Sequence, residues 1–270
     1  RGPSGVSRLV VHAGFHKTGT SSVQAMLRSN RKLLDRHLRV LLKEDFEGLT
    51  DAARQFSIHP SEDTLATVGS RAARVFRKLD RDDPRPILMS SEDLSGHMPG
   101  RRGLDRYNAA PLVMAKLEEN ARYHFGDALD LQVFFSTRAA EPWLRSSWWQ
   151  TLRATRLTDD LETFSRAVDA DLDKILAEIR SALPQLPVHA MALEDSATLT
   201  HGPLTPLLAL TELTPEVCAQ LTILPPSNVQ PLDGMDQIFL ALNRSGLSEE
   251  NLRQAKTDLR HMATKQEQPQ

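Results

Sequence analysis

The stretch Leu9-Val-Val-His-Ala-Gly-Phe-His-Lys-Thr-Gly-Thr-Ser-Ser22 decides the fold, because it joins three kinds of local structure in one short run. It begins with an apolar, β-branched segment that is typical of a buried strand. A polar loop with two glycines follows, and Val23, Met26 and Leu27 then share one face of a helix predicted over 21–28. A strand, a tight loop and a helix in this order make a backbone suited to holding phosphate.

The loop has the features of an anion-binding site. Gly14 and Gly19 can adopt positive φ angles and allow an anion to approach the backbone closely. The first amides of a helix have no intrahelical acceptor and lie at the positive end of its dipole, and Lys17 adds a full positive charge. We therefore expect a polyanionic ligand, with contacts from Gly14, Lys17, Thr18, Gly19, Thr20 and Ser21.

The position of the lysine separates this loop from the ATP-binding loop of the Walker type. In the Walker pattern lysine follows the last glycine, whereas Lys17 precedes Gly19 by two residues. The order KTGTS, within GFHKTGTSS at 14–22, resembles the 5′-phosphosulfate loop of sulfotransferases, and the longer string is most similar to their bacterial-type members. This resemblance implies 3′-phosphoadenosine 5′-phosphosulfate (PAPS) as the sulfuryl donor and adenosine 3′,5′-bisphosphate as the product.

A second part of the sequence resembles the same family. An apolar run at 131–137 is followed by Arg138, and Ser146 lies eight positions further on, in a helix predicted to begin near Pro142. Members of the family hold the 3′-phosphate of PAPS with an arginine at a strand end and a serine at this spacing. The resemblance therefore assigns Arg138 and Ser146 to the 3′-phosphate, which a planar guanidinium can bind by two parallel hydrogen bonds.

Strand-like and helix-like segments alternate along the chain. Strands are predicted at 8–13, 38–42, 86–91, 131–137 and 187–192. Helices are predicted at 61–79, 104–125, 141–155, 161–183, 203–212, 233–244 and 248–262. This order predicts an α/β fold with a central, mostly parallel sheet of about five strands between two helical layers, which the resemblance identifies as P-loop-like. We expect a single domain over 8–262, an irregular lead or cloning remnant at 1–7 and a disordered tail at 263–270.

Charge and composition narrow the expected partners. The 270 residues carry a formal net charge of −2, which provides no bulk attraction to nucleic acid. No apolar run approaches the roughly 20 residues of a membrane-spanning helix, so no integral membrane segment is expected. The single cysteine, Cys218, excludes an internal disulfide framework and, with no apolar secretory segment, favours a cytoplasmic location. The oligomeric state is left open.

Sulfuryl transfer to a hydroxyl needs a base for the acceptor's proton and positive charge near the leaving phosphate oxygen. The third predicted strand ends in Ser90-Ser-Glu-Asp93, at the same edge of a parallel sheet as Lys17. Glu92 is the expected base, as in the carbohydrate sulfotransferases of the family, and Asp93 is the weaker candidate. Lys17 is expected to stabilise the leaving bisphosphate, while His16 is an alternative base or a donor to the sulfuryl oxygens.

The segment Ser95-Gly-His-Met-Pro-Gly-Arg-Arg-Gly103 follows the candidate base directly. Its three glycines and one proline predict an irregular and mobile loop. His97, Arg101 and Arg102 are the candidate contacts to the acceptor, a small molecule or saccharide. The two arginines could meet an anionic acceptor or close over the cofactor, and solvated loop charges are the alternative. No metal is expected, because a transferring sulfuryl group carries less negative charge than a phosphoryl group.

The chain departs from the pattern of the cytosolic family members in two respects. Ser22 replaces the tryptophan that stacks on adenine in those enzymes, and their C-terminal Arg-Lys-Gly loop has no clear counterpart. The segment Leu224-Pro-Pro-Ser-Asn-Val229 resembles a motif of bacterial members at about that place. Trp143, Trp148 and Trp149 could supply a stacking surface, although their helical spacing favours positions in the core.

Two other functions are compatible with the sequence. A P-loop kinase or nucleotide hydrolase would use Thr20 and Asp93 at a magnesium ion, but the lysine order and the second motif argue against it. A catalytically silent domain of the same fold would bind a partner instead. The presence of both Lys17 and Glu92 argues against such a loss of activity. The identity of the acceptor is not encoded in any motif.

Overall fold

A computed structural model describes residues 8–225 and 234–266 of the chain. Its strands are β1 (Arg8–His12), β2 (Arg39–Leu41), β3 (Ile87–Ser90), β4 (Asp130–Thr137) and β5 (Val188–Ala192). They form one sheet in the order β2-β3-β1-β4-β5, and every neighbouring pair is parallel. The predicted α/β fold with about five strands is therefore confirmed, and the sheet is parallel throughout.

Helices connect the strands and cover both faces of the sheet. The longer helices are α1 (Thr20–Ser29), α3 (Leu49–Ile58), α4 (Glu62–Arg77), α5 (Ala110–Phe125), α6 (Ala140–Ala154), α7 (Leu161–Ala167), α8 (Leu172–Ala182), α12 (Met235–Arg244) and α13 (Glu249–Gln266). Shorter helices are α2 (Arg31–Leu34), α9 (Leu193–Ser196), α10 (Thr205–Leu210) and α11 (Pro215–Cys218), and single 3-10 turns span Lys43–Asp45, Glu92–Ser95 and Gly202–Leu204. Within the described residues, no helix combines the length and apolar character needed to cross a bilayer.

The predicted strands agree with the observed ones to within one residue at each end. The helix predicted at 161–183 is instead the pair α7 and α8, because Asp171 caps a new helix by accepting a hydrogen bond from the amide of Lys174. The helix expected from 104 begins at Ala110, and α3 was not predicted. Helix α13 continues through Gln266, so the tail expected from 263 begins inside a helix. Residues 1–7 and 267–270, and most of the motif at 224–229, lie outside the described residues.

Successive side chains of β1 point to opposite faces of the sheet, and the core therefore has two layers. Leu9 and Val11 pack on one face of the sheet, in a core cluster that α3 to α8 supply. Val10 packs on the other face against α1 and α10. Each of these three side chains is at most 1% exposed. Strand β1 is therefore fixed at the centre of the molecule, and the loop that follows it lies at the carboxyl edge of the sheet, where parallel α/β sheets bind ligands.

A buried histidine ties three strands together at this edge. His12, at the end of β1, lies 2.8 Å through Nδ1 from the Ser90 hydroxyl on β3 and 3.4 Å through Nε2 from the Ser136 hydroxyl on β4. Burial lowers the pKa of His12 to about 3, so the ring is neutral at ordinary pH.

This neutral His12 predicts a loss of stability in mild acid. The unfolded chain binds a proton near the ordinary histidine pKa of 6.5, whereas the folded chain resists protonation down to about pH 3. The free energy of unfolding should therefore decrease as the pH falls from about 6.5 towards 3. Chemical denaturation across this range should give a shallower decrease for His12→Asn than for the wild type. His59→Gln, at an exposed histidine, should retain the wild-type slope; a wild-type slope in His12→Asn would contradict this account.

Candidate active site

The loop between β1 and α1 turns through three residues with positive φ. These are Gly14 (φ 50°), Lys17 (φ 67°) and Gly19 (φ 92°). A Cβ atom on Gly14 would lie 2.7 Å from Thr20 Cγ2, so a larger residue would not fit there. Lys17 is the unusual member, because a left-handed conformation costs a residue with a side chain about 1–2 kcal/mol. The surrounding structure must therefore impose the conformation of Lys17.

Three side chains from distant parts of the chain hold the backbone on either side of Lys17. The amide of His16 donates to the Tyr107 hydroxyl at 3.0 Å, and the indole Nε1 of Trp143 donates to the His16 carbonyl at 2.9 Å. Arg138 donates through Nη1 to the Lys17 carbonyl at 3.1 Å. Tyr107 and Trp143 are almost completely buried, so their hydrogen bonds are protected from water. We call these three hydrogen-bonding side chains the loop clamp.

The first turn of α1 presents its amides towards a cavity. Gly19 is the N-cap residue of α1 and, lacking a side chain, makes no cap hydrogen bond. The amides that a helix leaves unpaired at this end are therefore available to an anion. Gly19, Thr20 and Ser21 all line the cavity, as the sequence predicted for an anion site.

Two of the predicted ligand contacts have structural roles inside the loop. Thr18 is completely buried, and its hydroxyl donates to the Phe15 carbonyl at 2.5 Å and lies 2.7 Å from the Ser136 hydroxyl. Neither Thr18 nor Gly14 lines the cavity. Thr18 thus joins the loop to β4, and Gly14 provides the tight turn.

The cavity has a volume of about 270 Å³ and combines residues from several elements. Of the residues predicted for the site, it brings together His16, Lys17, Gly19, Thr20, Ser21, Glu92, His97 and Arg101. It also includes residues that the sequence did not indicate: Lys43, Arg54, Met98 and Gln150. Ser22 and Asp93 complete the lining. Met98 belongs to the quoted segment Ser95–Gly103, whereas Lys43, Arg54 and Gln150 belong to no motif and reach the cavity through the packing of α3, α6 and the turn at Lys43–Asp45.

Lys17 places an uncompensated positive charge in this cavity. Its side chain is half-buried, and in the part of the chain that the structure describes its Nζ makes no hydrogen bond or ion pair. Burial lowers the pKa of Lys17 below 10.5, and the positive charges of Arg153 and Arg138 lower it further, while Glu92 opposes them. An anion bound beside Lys17 would relieve this repulsion.

Glu92 and Asp93 are adjacent in sequence but differ in their surroundings. Glu92 faces the cavity, and its Oε2 accepts a single hydrogen bond, from Gln24 Nε2 at 2.8 Å. Asp93 instead lies 3.2 Å from His16 Nε2, 2.5 Å from Lys43 Nζ and 3.9 Å from Arg54 Nε. Burial alone would raise the pKa of Asp93, but the hydrogen bonds and charges of His16 and Lys43 hold it well below its usual range. Asp93 is therefore a poor proton acceptor, whereas Glu92 faces the cavity without an ion pair in the part of the chain that the structure describes.

Both ring nitrogens of His16 have partners. Nδ1 lies 3.1 Å from the Tyr107 hydroxyl, which already accepts a hydrogen bond from the His16 amide. Burial raises the pKa of Tyr107 well above its usual value, so this hydroxyl keeps its proton. Nε2 of His16 lies 3.2 Å from Asp93 Oδ1. His16 thus braces Asp93 rather than presenting a free nitrogen to the cavity.

The second sequence motif is only partly assembled next to the loop. Arg138 follows β4 and reaches the Lys17 carbonyl, and its Nε is buried without a hydrogen bond, 3.8 Å from Glu194 Oε1. Arg138 lines a second cavity, of about 610 Å³, together with the beginning of α6. Ser146 lies further along α6, half-buried, and lines neither of these two cavities.

The segment after Glu92 is irregular, as predicted, but it is packed rather than loose. His97 is buried, its amide donates to the Ser57 hydroxyl at 2.9 Å, and a Cβ on Gly100 would lie 2.3 Å from the Phe164 ring. Such packing does not support the expected mobile loop. The arginine pair is also divided, because Arg101 lines the cavity whereas Arg102 is exposed outside it.

The tryptophans belong to the core, as their helical spacing indicated. Trp143 and Trp148 are almost fully buried, and the Trp149 ring packs against Phe239 with centroids 5.1 Å apart. The Trp148 indole donates to the Asp159 carbonyl at 2.9 Å. None of the three lines the two cavities described above.

Comparison with known proteins adds little to this geometry. No family model matches the chain, and no curated protein matches it. Among solved structures, the chain is similar to the crystal structure of a fungal RNA kinase, with a TM-score of 0.37 and 9% identity. That match covers 90% of this chain and 100% of the kinase chain. A similarity this low says nothing about activity.

The ion pairs of Asp93 make a testable contribution to stability. Asp93→Asn removes the carboxylate that His16 and Lys43 share and should lower the free energy of unfolding at pH 7 by about 1–3 kcal/mol. Because the pKa of Asp93 is lowered on folding, its contribution is present above about pH 4 and is lost as the pH falls through the lowered pKa.

Urea denaturation at a series of pH values measures this contribution. The stability difference between wild type and Asp93→Asn should narrow as the pH decreases from about 5 towards 3. Asp127→Asn, at an exposed position, should have no comparable effect at pH 7. A stable Asp93→Asn variant, or a difference that stays constant with pH, would show that the ion pairs do not stabilise the fold.

Proposed function

We propose that this protein is a sulfotransferase that moves a sulfuryl group from PAPS to a hydroxyl acceptor. The observation that carries the proposal is the unpaired, half-buried Lys17 ammonium, in a cavity that also contains the first turn of α1 and the carboxylate of Glu92. The lysine order of the loop, which resembles that of PAPS-dependent enzymes, favours phosphosulfate over a nucleoside triphosphate.

The proposal assigns the two anionic groups of PAPS to two different parts of the site. The amides at Gly19, Thr20 and Ser21, together with Lys17, would hold the 5′-phosphosulfate. Arg138 lines the second cavity, which Asp171, Asp173 and Glu194 also line, and its guanidinium would hold the 3′-phosphate once it leaves Glu194. The same guanidinium also holds the Lys17 carbonyl, so one side chain couples the two anion sites.

The proposed reaction is an in-line displacement at sulfur. A bond forms between the acceptor oxygen and sulfur while the bond between sulfur and the 5′-phosphate oxygen breaks, and the leaving bisphosphate keeps the electron pair. Glu92 takes the acceptor's proton, and the hydrogen bond from Gln24 fixes the orientation of its carboxylate. Lys17 stabilises the charge on the leaving phosphate oxygen. His16 and Asp93 brace the wall of the site and take no proton in this scheme.

Ligand binding discriminates between PAPS and ATP. Adenosine 3′,5′-bisphosphate should raise the melting temperature, whereas ATP with Mg²⁺ should raise it less or not at all. Arg138→Ala removes the hydrogen bond to the Lys17 carbonyl and should weaken binding of both ligands, but it should weaken the bisphosphate more than adenosine 5′-phosphosulfate, which lacks the 3′-phosphate. Stabilisation by ATP with Mg²⁺ alone would favour a kinase, and no change in melting temperature with either ligand would favour a silent domain. Equal losses of affinity for the two adenosine ligands in Arg138→Ala would refute the assignment of Arg138 to the 3′-phosphate.

Replacing Glu92 separates catalysis from binding. Glu92→Gln keeps the shape and the hydrogen-bonding capacity of the side chain but cannot accept a proton, so turnover should fall by about 10²–10⁴-fold. The affinity for adenosine 3′,5′-bisphosphate should stay near the wild-type value. Glu119→Gln, on the surface of α5, is the matched control and should leave both quantities unchanged. Near-normal turnover in Glu92→Gln, measured by transfer of labelled sulfate from PAPS to a screened acceptor, would place the base elsewhere.

A further inference from the structure

The wall of the cavity formed by α3 and the segment after Glu92 carries two arginines. Arg101 belongs to the irregular segment, and Arg54 lies on α3. The two elements pack together, as the hydrogen bond from the His97 amide to Ser57 of α3 shows. This wall is separate from the loop and the first turn of α1, which account for the phosphosulfate in the proposed function.

Arg101 is held in place by neutral partners alone. Its Nε donates to the Thr151 hydroxyl at 3.2 Å, and its Nη2 donates to the Gln150 carbonyl at 2.7 Å. These hydrogen bonds use two of the five N–H donors of a guanidinium. In the part of the chain that the structure describes, no carboxylate forms an ion pair with Arg101. The guanidinium is thus oriented by α6, and its charge is left without a counter-ion.

Arg54 is only weakly paired. Its Nε lies 3.9 Å from Asp93 Oδ1, and its Nη1 lies 4.0 Å from Asp51, an exposed residue one turn earlier on α3. The carboxylate of Asp93 lies closer to His16 and to Lys43 than to Arg54, so it does not fully neutralise the charge of Arg54.

The positive charges on this wall exceed the negative ones. Burial lowers the pKa of Arg101, and the neighbouring positive charges of Arg54 and Arg153 lower it further. A partly buried cation beside other cations is unfavourable unless an anion joins them. Glu92 is the remaining carboxylate in the cavity lining, and it lies close enough to Lys17 to raise the pKa of that lysine.

We propose that Arg54 and Arg101 form an oxyanion subsite for the acceptor. The proposal rests on the proposed function and names the substrate class: a hydroxyl compound that carries a carboxylate or a sulfate ester, as an acidic or already sulfated saccharide does. The planar guanidinium of Arg101, with three donors still unused, suits the two oxygens of such a group. The acceptor's charge would thereby fix which of its hydroxyls faces Glu92.

The subsite is tested on protein saturated with adenosine 3′,5′-bisphosphate, so that the cofactor's own anion sites are filled. Sodium sulfate and, separately, sodium acetate are titrated against sodium chloride at matched ionic strength, and the melting temperature is followed. Sulfate or acetate should stabilise the wild type beyond the chloride control. Arg101→Gln and Arg54→Gln should each weaken that effect by about tenfold in apparent dissociation constant, while Arg77→Gln, at an exposed arginine, should not change it.

Several outcomes would overturn the proposal. No stabilisation of the wild type beyond chloride, or stabilisation that survives in both Arg54→Gln and Arg101→Gln, would remove the subsite. An anion effect lost only in Lys17→Ala would locate the anion beside the phosphosulfate loop instead. A lowered affinity of Arg101→Gln for adenosine 3′,5′-bisphosphate itself would assign Arg101 to the cofactor. If the wild type fails to bind the bisphosphate at all, the proposed function fails, and that result appears before any sulfate or acetate is added.

Discussion

The candidate site depends on the hydrogen bonds that hold the backbone around Lys17. The φ of 67° at Lys17 lies in the left-handed region, which costs a residue with a side chain about 1–2 kcal/mol of conformational energy. The surrounding structure must therefore impose it. The loop clamp supplies the constraint, through Tyr107 and Trp143 on the peptides of His16 and through Arg138 on the carbonyl of Lys17. Because the clamp comes from β4, α6 and the segment before α5, the geometry of the loop exists only when the whole domain is folded.

The loop clamp also explains why the two neighbouring carboxylates, Asp93 and Glu92, have different surroundings. His16 is oriented by Tyr107 and in turn holds Asp93, which is ionised and lies near Lys43 and Arg54. Glu92, one residue earlier, accepts a hydrogen bond from the side-chain amide of Gln24 and faces the cavity. One carboxylate thus has a structural role and its neighbour faces the cavity, although both follow the same strand.

The sequence predicted the sheet well because buried parallel strands are short β-branched runs between helices. Lys17, Gly19, Thr20 and Ser21 line one cavity, as predicted, since they are close in sequence and the geometry of the loop is local. Helix α3 was missed because it starts at Gly48 without a capping side chain. The break between α7 and α8 was missed although Asp171 is a typical N-cap residue.

Other parts of the site could not be predicted from one sequence. Lys43, Arg54 and Gln150 reach the cavity through long-range packing and belong to no motif. The sequence does not distinguish Arg101 from Arg102, since both are arginines in the same irregular segment. In the structure Arg101 lines the cavity, whereas Arg102 has a positive φ of 54° and is exposed. The hydroxyl of Thr18 bonds to Phe15 and lies next to Ser136, and this second role of Thr18 could not be predicted from the motif.

The most direct test of the central claim is a crystal structure of the protein with adenosine 3′,5′-bisphosphate bound. The account predicts the 5′-phosphate at the first turn of α1 beside the Lys17 ammonium, and the 3′-phosphate on Arg138. It also predicts that Lys17 keeps its left-handed conformation when the ligand is bound. A 5′-phosphate bound away from Lys17, or a 3′-phosphate on Arg101 instead of Arg138, would contradict it.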